Sequence, residues 1–341
     1  MRAAIHNPYL DTLGGGERYS MAVARVLLNH EVSVDIEWKD PSIQRKLEER
    51  FGVGLEGANI IPDVKRGDGY DVCFWVSDGS IPTLKARKNF LHFQFPFKDV
   101  NGRSLLNKMK LFRINKVICN SLFTKGYIDN EFGVEGIVIY PPIDTASLNP
   151  GTKENLILFV GRFSQLTQAK NQHILIQAFK RFFDSGYKDW QLVLAGGVEV
   201  GVDNYLNRLE KSTQGYPVKI VKSPSFRQLK DLYSRAKLFW SATGFGVNAQ
   251  KDPLGLEHFG ITAVEAMAAG AVPIIFNAGG HKEIVKHEKD GFLWETLAQL
   301  LKYTKIALED KSVLKKLSLQ ARQDASRFSY DSFEKSFLEV L

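Results

Sequence analysis

The sequence predicts an α/β protein built as two doubly wound parallel-sheet domains facing each other across a cleft. Three observations carry that expectation. Short apolar stretches alternate with helical patterns almost from end to end, the signature of β-α units and parallel sheets. A Pro-rich, small-polar segment, YPPIDTASLNPG (residues 140–151), interrupts the alternation as a connection between domains would. The length of 341 residues is more than one hydrophobic core of ordinary size needs.

Taken in order, the expected strands of the first half are Arg2–His6, Val32–Trp38, Tyr70–Val76, Asn89–Phe95 and Lys116–Cys119. Each is a short run of β-branched, aromatic or aliphatic residues, as strands covered on both faces require. After the break come Leu156–Val160, Gln191–Ala195, Val218–Val221, Leu238–Ser241 and Val272–Phe276. Segments 17–28, 172–183 and 226–234 carry apolar residues at helical spacing. A long helical run starts at Leu297, and FSYDSFEKSFLEVL closes the chain as a short amphipathic helix. The domain boundaries expected are 1–145 and 151–327. Sheets of this kind bind ligands beyond the carboxyl ends of their strands.

An apolar content of 44% with 24% charged residues is that of a globular protein, which excludes a disordered chain. The apolar run 266–276 is too short to span a bilayer. MRAAIHNPYL lacks the charged-then-apolar layout of a secretory leader. Cys73 and Cys119 lie in strand-like runs, as reduced core residues would. Together these point to a cytoplasmic chain. Charge is concentrated: residues 85–116 hold nine basic side chains against Asp99, a net +8 in a chain whose total is +7. Within that segment SLLNKMKLFRINK mixes Leu, Met and Phe with Lys108, Lys110 and Arg113, the pattern of an interfacial helix on anionic lipid, on the inner face of a membrane. A solvated basic face is the alternative. No helix-turn-helix, zinc-finger or RNP pattern accompanies the charge, so nucleic acid is not the expected partner.

The stretch EHFGITAVEAMAAGAVPII (257–275) sets Glu257 before a helix and Glu265 two turns later. One reading is structural: Thr262-x-x-Glu265 has the form of a capping box. The other is functional. Gly260 allows close approach at the helix start, and the amides of Ile261, Thr262 and Ala263 form an anion-binding end.

The pair E257-x7-E265 in this setting resembles the signature of the family 4 (group 1) glycosyltransferases, retaining enzymes of the GT-B fold with two Rossmann-like domains. FVGRF (159–163) followed by Lys170, LAGG (194–197), YPPID (140–144), GG followed by EIV (279–285) and DGF (290–292) resemble other motifs of that family. HNPYLDTLGGGERY resembles its glycine-rich loop, and GGGER with EHFGI is nearest the α-1,2-mannosyltransferase-like branch.

The resemblance implies roles. Arg162 and Lys170 would neutralise a departing nucleoside diphosphate, Glu265 would hold the ribose, and Glu257 would hold hydroxyls of the donor sugar. Backbone at Gly15, Gly16, Gly197 and Phe259–Thr262 would meet phosphate or sugar oxygens, although Gly14–Gly16 also suits a plain turn. His92, four residues before Pro96, matches the family's His-x-x-x-Pro form, with Gln94 as the alternative and a core histidine as the structural reading. The last helix, about 328–341, would pack back on an acceptor-binding first domain, with the donor on the second.

The function implied is transfer of a hexose, mannose favoured, from a nucleoside diphosphate sugar to a glycan or lipid-linked acceptor in polysaccharide or glycolipid synthesis. GDP-mannose is the favoured co-substrate, with a UDP-sugar as the alternative, and neither a metal nor another cofactor is expected. A non-catalytic sugar-nucleotide or glycan binder and a nucleotide-sugar epimerase are rival readings on the same fold.

Overall fold

The computed structural model describes every residue except Leu13, Leu166, Thr167 and Val200. It divides into two compact units, Met1–Pro142 with Tyr330–Leu341, and Ile143–Ser329.

In the first unit the order is β1 (Arg2–His6), α1 (Gly15–Asn29), β2 (Ser33–Glu37), α2 (Ile43–Phe51), β3 (Ala58–Ile61), β4 (Val72–Val76), β5 (Lys88–Phe93), α3 (Leu105–Leu111), β6 (Lys116–Cys119), α4 (Leu122–Phe132) and β7 (Ile137–Val138). The strands form one parallel sheet in the order β3-β2-β1-β4-β5-β6-β7. The chain builds outward from β1 to β3, then restarts at β4 on the other side of β1. The β1/β4 boundary is therefore the point where strand order reverses, the usual ligand site of such sheets.

In the second unit β8 (Glu154–Val160), α5 (Gln172–Asp184), β9 (Gln191–Gly196), α6 (Asp203–Thr213), β10 (Val218–Lys222), α7 (Phe226–Arg235), β11 (Ala236–Ser241), α8 (Ile261–Ala268), β12 (Val272–Phe276), α9 (His281–Ile284), β13 (Phe292–Trp294), α10 (Leu297–Glu309) and α11 (Lys311–Ala325) follow. Their sheet runs β10-β9-β8-β11-β12-β13, again parallel, with the reversal between β8 and β11. The terminal helix α12 (Tyr330–Leu338) belongs to the first unit, where Phe333 and Phe337 join the core beside Tyr19 and Phe74.

Both sheets are covered by helices, so their central strands are apolar throughout: LILFV of β8 and LFWS of β11 are buried residue after residue. Three strands escape the sequence reading, β3, β7 and β13. β3 and β7 are only half-buried and β13 is three residues long, too little apolar run to register. No helix among the described residues is long and apolar enough to cross a membrane. Both cysteines are buried and unpaired.

One buried contact predicts a pH response. Asp290 is fully buried, and its Oδ1 accepts the Lys286 amide at 2.7 Å. Burial, reinforced by the Asp324 carboxylate, pushes its pKa up to about 7. A carboxyl raised in the folded state stabilises the fold fully below its unfolded value, and that contribution is lost as pH rises through 7. Stability of the second unit is expected to fall from about pH 4 to pH 7 by up to about 1.4 kcal/mol per pH unit. Asp290→Asn, which cannot ionise, should flatten this slope in denaturant titrations. An unchanged slope would show that another group is responsible.

Candidate functional site

The site is built where strand order reverses in the second unit. Beyond β8 the chain turns sharply: the Gly161 amide donates to the Ala195 carbonyl at 2.9 Å and the Phe163 amide to the Gly197 carbonyl at 2.8 Å. The two strand ends come so close that a Cβ on Gly196 would lie 2.0 Å from the Gly161 oxygen. Arg162 is thereby held at the tip. Its side chain is half exposed and pairs with Glu199 at 3.0 Å, and its carbonyl accepts from Gln172.

Lys170 precedes α5. Asn171 adopts a left-handed conformation and ties this corner to the Ala242 and Phe245 carbonyls beyond β11. Lys170 is 9% exposed, and its ammonium donates to Glu257 Oε2 and Gln168 Oε1, each at 2.8 Å. Glu257 is in turn fixed through its carbonyl, which accepts the Gly280 amide at 2.7 Å. Burial raises the Glu257 pKa, but Lys170, with His281 and His258, overcomes this and holds the carboxyl down at about 2. The two histidines are themselves neutral, pushed down by burial, His258 to about 4. The result is one negative and one positive charge in contact.

The helix α8 begins at Ile261 with Gly260 as its cap, at φ 117°, which a side chain would strain. The capping-box reading is corrected here: Thr262 lies inside the first turn, and Glu265 Oε2 instead accepts the Tyr233 hydroxyl at 2.8 Å. Ile261 and Thr262 keep their amides without an acceptor among the described residues, whereas the Ala263 amide already donates to the Gly260 carbonyl. Phe259 is buried with its ring against Phe328 at 5.2 Å. At Gly197 an added Cβ would meet nothing within 4 Å.

The structure thus brings Lys170 and Glu257 together, sets Arg162 on its own carboxylate and places Glu265 on a tyrosine. Four partners were not anticipated: Gln168, Glu199, Tyr233 and His281. Only His281 carried a local signal, following Gly279–Gly280 in a motif already singled out. The others come from two separate loops and from helix α7.

The remaining candidates lie in the first unit. Gly14 caps α1, Gly15 starts it, and the Glu17 carboxylate accepts the Gly14 amide at 2.6 Å. A Cβ on Gly16 would fall 1.6 Å from Gln94 Oε1, so the close approach here is made by Gln94. His92 is placed in the core, 0% exposed, stacked on Tyr19 at 4.0 Å and on Phe74 at 5.4 Å. Burial keeps its ring neutral, with pKa pushed down to about 3, and the Ile118 backbone offsets only part of this. Lys108 and Lys110 lie on α3, where no residue is buried, and Arg113 donates to the Leu84 carbonyl at 2.7 Å. Among the described residues no group of three or more His, Cys, Asp or Glu is arranged to hold a metal.

The family model for "Glycosyl transferases group 1" matches residues 142–324, more than half of the chain. The chain is 28% identical over 248 residues to a Dictyostelium discoideum protein named GDP-Man:Man(3)GlcNAc(2)-PP-Dol alpha-1,2-mannosyltransferase, covering 66% of this chain and 46% of that one. It is 31% identical over 255 residues to the Homo sapiens protein of the same name, covering 65% and 47%. The chain therefore spans a little under half the length of these relatives. Among solved structures it is similar to Anabaena HepE in complex with UDP and glucose, with TM-score 0.76, 19% identity, and 99% and 98% of the two chains covered. A sucrose-phosphate synthase from Thermosynechococcus elongatus gives TM-score 0.72 at 16% identity, with 100% and 98% covered. With two parallel-sheet units, these likenesses show the GT-B fold. The chain belongs to the group 1 glycosyltransferase family.

Proposed function

We propose that this chain is a retaining glycosyltransferase that moves a hexose, mannose by preference, from a nucleoside diphosphate sugar to a hydroxyl of a glycan or lipid-linked acceptor. One observation carries the reading: a largely buried Lys170–Glu257 pair sits beside the open amides at the start of α8, where strand order reverses in the second unit. A cation, a carboxylate and a helix N-terminus are what a sugar diphosphate needs: charge neutralisation for the phosphates and an acceptor for hydroxyls. In the proposed step the diphosphate oxygen leaves the anomeric carbon and takes the proton of the incoming acceptor hydroxyl. Arg162, Lys170 and the amides of Ile261 and Thr262 stabilise the charge that develops, while Glu257 and Glu265 orient sugar and ribose. Such a step rests on positioning and electrostatics more than on a strong base.

GDP-mannose is favoured because the mannosyltransferase relatives carry GDP-Man in their names, and the UDP complex of HepE keeps UDP-sugars as the alternative. We assign the family histidine's place near the donor sugar to Gln94 rather than His92, since Gln94 lies against the start of α1 and His92 is enclosed. A panel of nucleoside diphosphate sugars is expected to raise the melting temperature through mass action, GDP-mannose most of all. Arg162→Ala should lose at least half of that rise, because a charge-assisted phosphate contact is worth about 1.5–3 kcal/mol. A panel without any stabilising nucleotide would end the proposal.

The acceptor reading has a surface counterpart. On and after α3, Leu105, Leu106, Met109 and Phe112 are exposed, Phe112 to 90%, beside Lys108 and Lys110. Exposed apolar residues flanked by cations suit a membrane of anionic lipid, with the chain peripheral on its cytoplasmic face. Sedimentation with phosphatidylserine vesicles should fall about 10-fold or more in Lys108→Glu/Lys110→Glu, at about 1 kcal/mol for each charge lost and again for each reversed. Unchanged binding would remove the membrane from the proposal.

A further inference from the structure

The first unit has its own strand-order reversal, between β1 and β4, and a cavity of about 230 Å³ lies there. His6 and Trp75 are register partners on these two strands, and the imidazole stacks on the indole with ring centroids 3.6 Å apart and planes 15° from parallel. His6 Nδ1 meets Glu37 Oε1 at 2.9 Å, and Glu37 Oε2 accepts the Val64 amide at 3.0 Å. The ring is therefore fixed in orientation, and Nε2 has no hydrogen-bond partner among the described residues.

Two cations complete the lining, Arg66 from the turn after β3 and Lys110 from α3. Neither side chain forms an ion pair or hydrogen bond among the described residues. Arg66 is presented by unusual backbone: Lys65 and Arg66 are consecutive left-handed residues at φ 50° and 56°. Such conformations cost about 1–3 kcal/mol each and persist where the surroundings enforce them. Here the enforcement is visible. The Lys85 amide donates to the Arg66 carbonyl at 2.9 Å, and Gly67 packs so tightly on β4 that a Cβ would lie 2.8 Å from that of Cys73. The one carboxylate in the lining, Asp78, is occupied by the Ser80 amide and hydroxyl at 3.0 and 2.7 Å.

We infer that this cavity binds the phosphate or diphosphate group of a lipid ester, with Arg66 and Lys110 as its cationic contacts and His6 as an oriented donor or acceptor. The volume is below that of a pocket for a whole drug-sized molecule and suits a single head group. Two unpaired cations favour an oxyanion over a neutral sugar, and the planar guanidinium suits phosphate in particular. The lipid follows from Lys110, which shares α3 with the exposed Leu106 and Met109, so the cavity borders the apolar face and an attached chain has somewhere to go. This rests on the lipid-linked acceptor of the proposed function and names the group by which it is held.

The test is calorimetric titration of the full chain with geranyl diphosphate, inorganic pyrophosphate and geraniol. Geranyl diphosphate is expected to bind, and Arg66→Gly and Lys110→Ala are each expected to weaken it at least tenfold. Glycine suits the left-handed turn and Lys110 is on the surface, so both variants should fold. Pyrophosphate binding as tightly, with the same loss in both variants, would keep the anion site but make free phosphate its source. Geraniol binding as tightly as its diphosphate, or unchanged affinity in the double variant, would overturn the inference. GDP and UDP titrations in the same variants should match the parent chain. Their failure to bind at all would count against the donor reading in the second unit, and leave the result for this cavity standing.

Discussion

Lys170→Ala is expected to be the most damaging single change in the second unit, costing up to about 3–5 kcal/mol, because it strands a largely buried carboxylate. In a unit of this size that is on the order of 10 °C of melting temperature. The sign of the pH response should also reverse. In the parent chain Glu257 is held down at about 2, so its stabilisation is present above the unfolded value of 4.5 and is lost as pH falls toward 2. Without Lys170, burial is the largest remaining influence and raises the pKa, so the variant should gain stability on acidification. Melting curves between pH 3 and pH 8 read both effects. The double variant Lys170→Met/Glu257→Gln separates fold from function: it should recover most of the stability and none of the sugar transfer. Recovery of transfer would mean that the pair is only structural.

Gly279→Ala is expected to be nearly as severe, although residue 279 has no side chain with which to touch a substrate. Its φ is 57°, and an added Cβ would lie 2.2 Å from the Glu257 carbonyl oxygen. A left-handed residue costs about 1–2 kcal/mol and a forced backbone shift a further 1–3 kcal/mol. The atom that must move is in Glu257 itself, so the carboxylate leaves its place beside Lys170. The measurement is a split: catalytic turnover should fall at least tenfold, while nucleotide binding, for which Arg162 and the α8 amides are also proposed, should fall less. Equal losses in both would place Gly279 in general folding instead.

The sequence conveyed the strand-helix alternation and the helix before which Glu257 lies, because these depend on local periodicity and on Pro and Gly. Strands β1, β6 and β12 have the bounds expected from their apolar runs. What was illegible lies in contacts between distant residues. Thr262-x-x-Glu265 has the form of a capping box, yet the helix starts two residues too early for it, and a tyrosine 32 positions away takes the carboxylate. His92 looked available in LHFQFPF, but the aromatic stack that encloses it draws on α1 and β4.

From its residues alone the chain declared two parallel α/β layers and a family, since hydrophobic period and glycine placement are written locally. Tertiary structure alone decided which charges meet. Lys170 and Glu257 are 87 positions apart, and His6, Arg66 and Lys110 come from three separate segments. Their ionisation and reach depend on burial and on partners that only the folded sheets supply.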